Sequence, residues 1–153
     1  RLVLFINLAD LGALTGRASA APLPAAAPTK RRVLVVDDSA VIRHLLLLSL
    51  TGAGYEVTEA ENGSQALARC AAQRPDLIIS DLEMPEMDGT QLLGHVRVRW
   101  PELPFIIFTN HDSPPHRSQA RALGVSEYIL KVDGNQDALF DAAARVLRSR
   151  EAT

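Results

Sequence analysis

Residues 76–89 read DLIISDLEMPEMDG. An apolar run from Leu77 to Ile79 ends on the carboxylate of Asp81, with Pro75 before it and a loop containing Pro85 and Gly89 after it. A short apolar run with no polar alternation, bounded by turn residues, reads as a strand buried on both faces. Such strands belong to parallel sheets covered by helices on either side, and these sheets bind their ligands beyond the carboxyl ends of the strands. Asp81 therefore marks both an architecture and a place to look for chemistry.

The same grammar repeats on either side. Upstream, VLVVDDS (33–39) is an apolar run ending in two adjacent acids, Asp37 and Asp38. Ser39 suits the cap of a helix running to about Ala53, where Gly54 stops it. Tyr55 to Ala60 is a weaker strand, Asn62-Gly63 a turn, and Ser64 to Gln73 a second helix before the strand Asp76 to Asp81. Downstream, the spacing predicts a helix from Thr90 to Trp100 and a strand from Phe105 to Thr109. Ser113 with Pro114 and Pro115 opens a helix to Leu123, closed by Gly124. Ser126 to Leu130 is a fifth strand, ending at Lys131, and Gln136 to Arg148 a last amphipathic helix. Strict strand–helix alternation implies a doubly wound α/β sheet with right-handed crossovers.

Bulk properties narrow the function classes. The chain has 153 residues and a net charge of −2, with none of the basic excess expected of a nucleic-acid binder. One cysteine, Cys70, rules out an internal disulfide and any multi-cysteine metal site. No apolar run reaches the length of a membrane span.

Five functional groups stand at predicted strand ends: Asp37, Asp38, Asp81, Thr109 and Lys131. Each alone is commonly structural, since acids cap helices and start turns. Together, on four strand ends, they form a site for a hard cation and a phosphoryl group. Mg2+ favours oxygen ligands and keeps several waters. Asp38 and Asp81 suit direct ligation, and Asp37 ligation through water. A carboxylate can attack phosphorus to give an acyl phosphate, and Asp81, alone at its strand tip, is the better nucleophile. Lys131 and the metal would neutralise phosphoryl charge, and the Thr109 hydroxyl would donate to a phosphoryl oxygen.

VLVVDDS, the run from Asp81 to Gly89, the strand-end Thr109 and the segment Tyr128-Ile-Leu-Lys131 together resemble the two-component response-regulator receiver domain over about residues 32–148. The resemblance implies a flavodoxin-like five-stranded sheet of order 2-1-3-4-5 with helices on both faces. It implies that Asp81 is the phospho-acceptor, that Asp37 and Asp38 hold Mg2+, and that the backbone carbonyl of Glu83 completes the metal site. Thr109 becomes the switch hydroxyl, Tyr128 the switch aromatic and Lys131 the phosphate-contacting lysine. The donor would be a phosphohistidine on a kinase, possibly in cis. Phosphorylation would draw Thr109 toward Asp81, move Tyr128 inward and remodel the face made by the fourth helix, fifth strand and fifth helix. Such a domain is not an enzyme in the usual sense, beyond self-phosphorylation and slow autodephosphorylation.

The chain departs from the family pattern in places. Val132 follows the lysine where the family usually has proline, so a trans bond is expected there. Asn110 follows the switch threonine where a small residue is usual, and its amide is expected to narrow access to Asp81. Leu45 to Leu48 give the first helix more apolar surface than one core-facing stripe needs, with packing against neighbouring elements favoured over a docking face. His111 is near enough to the site loop to affect water access. Trp100 is expected to close the third helix against the core, and Arg145, Arg148 and Arg150 suit a helix C-terminus.

The chain opens on Arg1, as expected of a fragment or processed form. RLVLFINLADLGAL (1–14) superficially has the look of a signal peptide, but Asn7 and Asp10 interrupt its apolar stretch. It resembles the closing strand and turn of a chemotaxis coupling-protein-like domain. The expected organisation is the tail of such a domain over 1–18, an Ala/Pro linker over 19–31 and the receiver over 32–150. That suggests the C-terminal end of a hybrid chemotaxis histidine kinase, or else a coupling-protein–receiver fusion, acting in the cytoplasm with other signalling-complex proteins. Nucleic-acid binding, direct transcription control and membrane insertion are not expected. Two other classes stay open. A phosphohydrolase with an aspartyl nucleophile would want Asp-x-Asp on the first strand and a cap segment, and would turn over a small phosphate ester. A phosphorylation-independent interaction module would bind metal yet accept no phosphate.

Overall fold

A computed structural model describes residues 31–132 and 135–151. The expected coupling-domain tail and nearly all of the Ala/Pro linker lie outside them. The elements are β1 (Arg32–Val36), α1 (Ala40–Gly52), β2 (Glu56–Ala60), α2 (Gly63–Ala72), β3 (Leu77–Ser80), α3 (Gly89–Arg99), β4 (Phe105–Thr109), α4 (Pro114–Ala122), β5 (Glu127–Leu130) and α5 (Asn135–Glu151). All strands are parallel, in the order β2-β1-β3-β4-β5. This is the flavodoxin-like sheet expected from the sequence.

Strand alternation divides the core into two layers, because successive side chains point to opposite faces. Val33, Val35, Leu77, Ile79, Ile106 and Phe108 pack with Leu46 and Leu50 of α1 and with Leu139, Ala143 and Leu147 of α5. Leu34, Val36, Ile78, Phe105 and Ile107 pack with Ala66 and Cys70 of α2, Leu92, Leu93 and Val96 of α3, and Ala120 of α4. The inner strands β1, β3 and β4 are therefore apolar along Val33–Val36, Leu77–Ile79 and Phe105–Phe108, while the edge strand β2 carries Glu56, Thr58 and Glu59 at exposed or half-exposed positions. Trp100 packs on the second layer, as expected.

Local chemistry sets the helix ends. Ser39, Asn62 and Asp88 each accept a bond from the helix they precede, and Asp88 forms a full capping box with Gln91. Ser113 stands at the N-cap of α4 but makes no such bond. Pro115 occupies the second helical position and has no N–H to offer, and the Ser113 hydroxyl instead shares a 2.7 Å hydrogen bond with His116 Nδ1. The leucine run also packs differently from expectation. Leu46 enters the core, but Leu45 and Leu48 are 46% and 57% exposed, in line with Val41 at 69%. Arg145 reaches Glu127 of β5 at 3.6 Å.

Arg97 ties the end of the sheet opposite the acids. Its guanidinium donates to the carbonyls of Leu123 (2.8 Å), Leu103 (2.6 Å) and Gly124 (2.9 Å). Burial lowers its pKa below the usual value, yet these carbonyl dipoles keep the charge tolerable. Replacing Arg97 with Met would leave those carbonyls short of a donor. The expected loss is roughly 2–3 kcal/mol, read as a lower urea midpoint.

Candidate functional site

The strand register delivers the acids together. Val36 is paired with Ser80, so Asp37 and Asp81 leave the sheet side by side, one residue past their strands. The Asp81 N–H donates to the Val36 carbonyl at 2.8 Å, and the Asp37 N–H to Ala60 at 3.1 Å. This is the point where the chain order reverses, with β2 on one side of β1 and β3 on the other, and it is the crevice where such sheets take ligands. On β4 and β5, Thr109 is paired with Leu130, which sets Lys131 just beyond, its N–H on the Thr109 carbonyl at 2.6 Å.

Asp37, Asp38 and Asp81 each present an oxygen, and these lie within 4.8 Å of one another. Asp37 is buried, Asp81 half-buried and Asp38 exposed. Both Asp37 oxygens already have partners: Oδ1 accepts from Ser39 N–H at 2.8 Å and Oδ2 from Lys131 Nζ at 2.6 Å. Lys131 also lies 3.6 Å from Asp81 Oδ2. Asp81 Oδ1 accepts from the Leu82 N–H at 2.7 Å. Burial raises the Asp81 pKa above its ordinary value, helped by Asp37 and opposed by Lys131 and the Leu82 and Glu83 amides. Oxygen donors of this number and spacing fit a hard divalent cation such as Mg2+. Asp38 and Asp81 retain ligand capacity, whereas Asp37, with both oxygens engaged, suits a bridging water.

Thr109 is buried, and its Oγ1 accepts from the His111 N–H at 3.1 Å. Glu83 lies two residues past Asp81, and its carboxylate meets His111 Nδ1 at 3.2 Å, so His111 spans the two site loops. Tyr128 is half-buried on β5 and donates its hydroxyl to the His111 carbonyl at 3.0 Å. The Lys131–Val132 bond is trans, as expected. Asn110 is exposed and lines a cavity of about 310 Å³ with Leu45, Leu46, Lys131 and Val132. Asp81 is not part of that lining, so the Asn110 amide borders the α1 side of Lys131. His44 on α1 and His95 on α3 are exposed.

Several positioning groups have no motif of their own. Arg43 donates to the Asp37 carbonyl at 2.6 Å and pairs with Glu59 at 3.3 Å, bracing the acid pair from β2. The buried Ser80 hydroxyl donates to the Asp81 carbonyl at 2.8 Å. Met84 and Met87 pack the loop after Asp81 onto the core. Gly89 closes that loop, its N–H donating to the Leu82 carbonyl at 2.8 Å. A Cβ at Gly89 would sit 2.5 Å from the Asp81 carbonyl oxygen and 3.1 Å from Leu82 Cα, backbone atoms that cannot step aside. Gly89→Ala is expected to cost roughly 1–3 kcal/mol in thermal unfolding and to displace the Asp81 amide resonance.

The comparisons with known proteins agree with this geometry. A family model described as the response regulator receiver domain matches residues 33–144. The chain is 42% identical over 99 residues to the DNA-binding transcriptional regulator NtrC of Salmonella typhimurium, an alignment covering 65% of this chain and 21% of that protein. It is 33% identical over 118 residues to the CAI-1 autoinducer sensor kinase/phosphatase CqsS of Vibrio cholerae, covering 75% of this chain and 17% of that one. Its fold is similar to that of the chemotaxis protein CheY4 of Vibrio cholerae, with a TM-score of 0.72 and 35% identity over 77% of this chain and 99% of that chain. The chain thus spans about a fifth of the length of these two curated relatives.

Proposed function

The chain belongs to the response-regulator receiver family of two-component signalling, and from that premise we propose that it takes a phosphoryl group from a kinase histidine onto Asp81. The observation that carries this reading is the half-buried Asp81 carboxylate held beside Lys131 at 3.6 Å within a three-carboxylate cluster. Receiver domains accept phosphoryl groups from histidine kinases and generally bind Mg2+ at an acidic pocket. Here Asp38, Asp81 and the Glu83 carbonyl would hold the ion, with Asp37 reached through water. When bound, Mg2+ would neutralise charge on the phosphoryl oxygens.

Asp81 Oδ2 attacks phosphorus as the phosphorus–nitrogen bond of the donor histidine breaks, and with the other ring nitrogen carrying a proton the imidazole leaves neutral with the electron pair. Lys131 stabilises the charge gathered on the phosphoryl oxygens. The Thr109 hydroxyl turns from its His111 contact toward the new oxygens, and Tyr128 registers that movement on the face of α4, β5 and α5. Resemblance to a sensor kinase and to a chemotaxis protein supports a receiver carried by a hybrid chemotaxis kinase, with a coupling-protein fusion as the close alternative. An ATP-derived phosphoryl group places it in the cytoplasm. No described helix is long and apolar enough to cross a membrane.

Intact-mass spectrometry after incubation with acetyl phosphate tests the reading. The expected result is a gain of one phosphoryl group with Mg2+ present and none after chelation. No gain, with Mg2+ still bound by calorimetry, would replace it with the interaction-module reading.

A further inference from the structure

Arg117 holds the ring of Tyr128. It sits in the first turn of α4, its N–H on the Ser113 carbonyl at 2.8 Å. Its guanidinium carbon lies 4.5 Å from the centroid of the Tyr128 ring. The same guanidinium is fixed from behind by Asp112, Nη2 to Oδ1 at 2.7 Å. A planar cation at this height over an aromatic face is attractive, and Arg suits stacking better than Lys. Tyr128 is thus held on three sides. Its ring packs on the core layer shared with α4, its hydroxyl is bonded to the His111 carbonyl, and its open face is covered by Arg117. To swing out, the ring must give up the His111 bond and lose the guanidinium together.

We infer that Arg117 is the positioning residue that holds Tyr128 in this seat, so that the setting of the switch face depends on α4 as well as on the site. The inference rests on the reading of Tyr128 as the switch aromatic. A contact made only with the seated ring shifts the equilibrium between seated and released ring toward the seat by its own strength. Removing Arg117 would lower the ratio of seated to released ring roughly three- to tenfold, the range of a partly desolvated cation–π contact.

The test follows the Tyr128 ring directly. The chain has two tyrosines, Tyr55 and Tyr128, so ring-13C tyrosine labelling gives two sets of signals, assigned with Tyr55→Phe. Spectra are taken of the parent, Arg117→Ala and Arg117→Lys, with and without Mg2+ and beryllofluoride as the phosphoryl mimic. The expected free parent signal is that of a ring seated against the core and the guanidinium. In Arg117→Ala the free protein shifts toward a solvent-exposed tyrosine. Arg117→Lys, which keeps the charge without the planar stack, falls between. A Tyr128 signal identical in free parent and free Arg117→Ala overturns the inference. Seating by Arg117 is scored in the free proteins, so it stands or falls separately from the functional reading. The latter fails if Asp81 and its neighbouring amides ignore the mimic in both.

Discussion

Asp81→Asn is expected to accept no phosphoryl group from acetyl phosphate and to melt above the parent. The first effect is chemical, because an amide oxygen is a poor nucleophile and the variant has no second carboxylate at that strand tip. The second effect is electrostatic. Asp81 carries a pKa raised above its ordinary value of 3.8, chiefly by burial and further by the Asp37 charge, with Lys131 opposing. A carboxyl whose pKa is higher in the folded than in the unfolded chain holds its proton more tightly when folded, so its ionisation costs stability. That cost is absent below the unfolded pKa, grows as pH rises through the folded one and is complete at neutral pH. Asn, uncharged throughout, removes it. Relieving such functional-site strain commonly yields roughly 0.5–2 kcal/mol, or about 2–8 °C for a domain of this size. The advantage should shrink as a pH series descends toward 3.8. Equal melting of the two proteins at neutral pH would mean that Lys131 fully offsets the burial of the charge.

Much of the fold was legible because parallel strands buried on both faces leave an unbroken signature. LVV, LII and FIIF each stop at a polar residue, and the register then does the rest. Pairing Val36 with Ser80 is what turns two distant acids into neighbours. The groups that position those acids were not legible. Arg43 reaches the Asp37 carbonyl from the first turns of α1, and nothing in its sequence neighbourhood separates it from a solvated arginine. Gly89 reads as the end of a loop, yet its lack of a side chain is required by the Asp81 carbonyl. A signal was present there, since the Asp88 cap with Gln91 three places on fixes where α3 must start. Ser113 shows the opposite failure. It fits the cap pattern, but its hydroxyl bonds the His116 ring and no backbone N–H of the helix. Local pattern reports local bonds; contacts such as Arg117 on Tyr128 join two elements whose approach only the fold decides.

The larger loss of stability is expected from Lys131→Met. Its ammonium is 2.6 Å from Asp37 and 3.6 Å from Asp81, and the side chains of Lys131 and Asp37 are 8% and 3% exposed. Met keeps the apolar stem but removes the cation, leaving a buried carboxylate without its counter-ion beside a second one. Breaking such a pair from one side typically costs about 3–5 kcal/mol. Phosphoryl uptake should fall roughly 10²-fold, the usual loss when one preorganised charge partner of a transferring group is removed. The two acids then have a stronger need for any other cation. A metal that binds only the folded chain stabilises it in proportion to the logarithm of one plus the ratio of its concentration to its Kd. If Lys131 and Mg2+ both neutralise Asp37 and Asp81, each must weaken the need for the other, and the coupling is reciprocal. The urea midpoint of Lys131→Met should therefore rise more steeply with added Mg2+ than that of the parent. Equal increments in the two proteins would mean that the lysine and the metal act on separate charges, and the shared site would have to be divided.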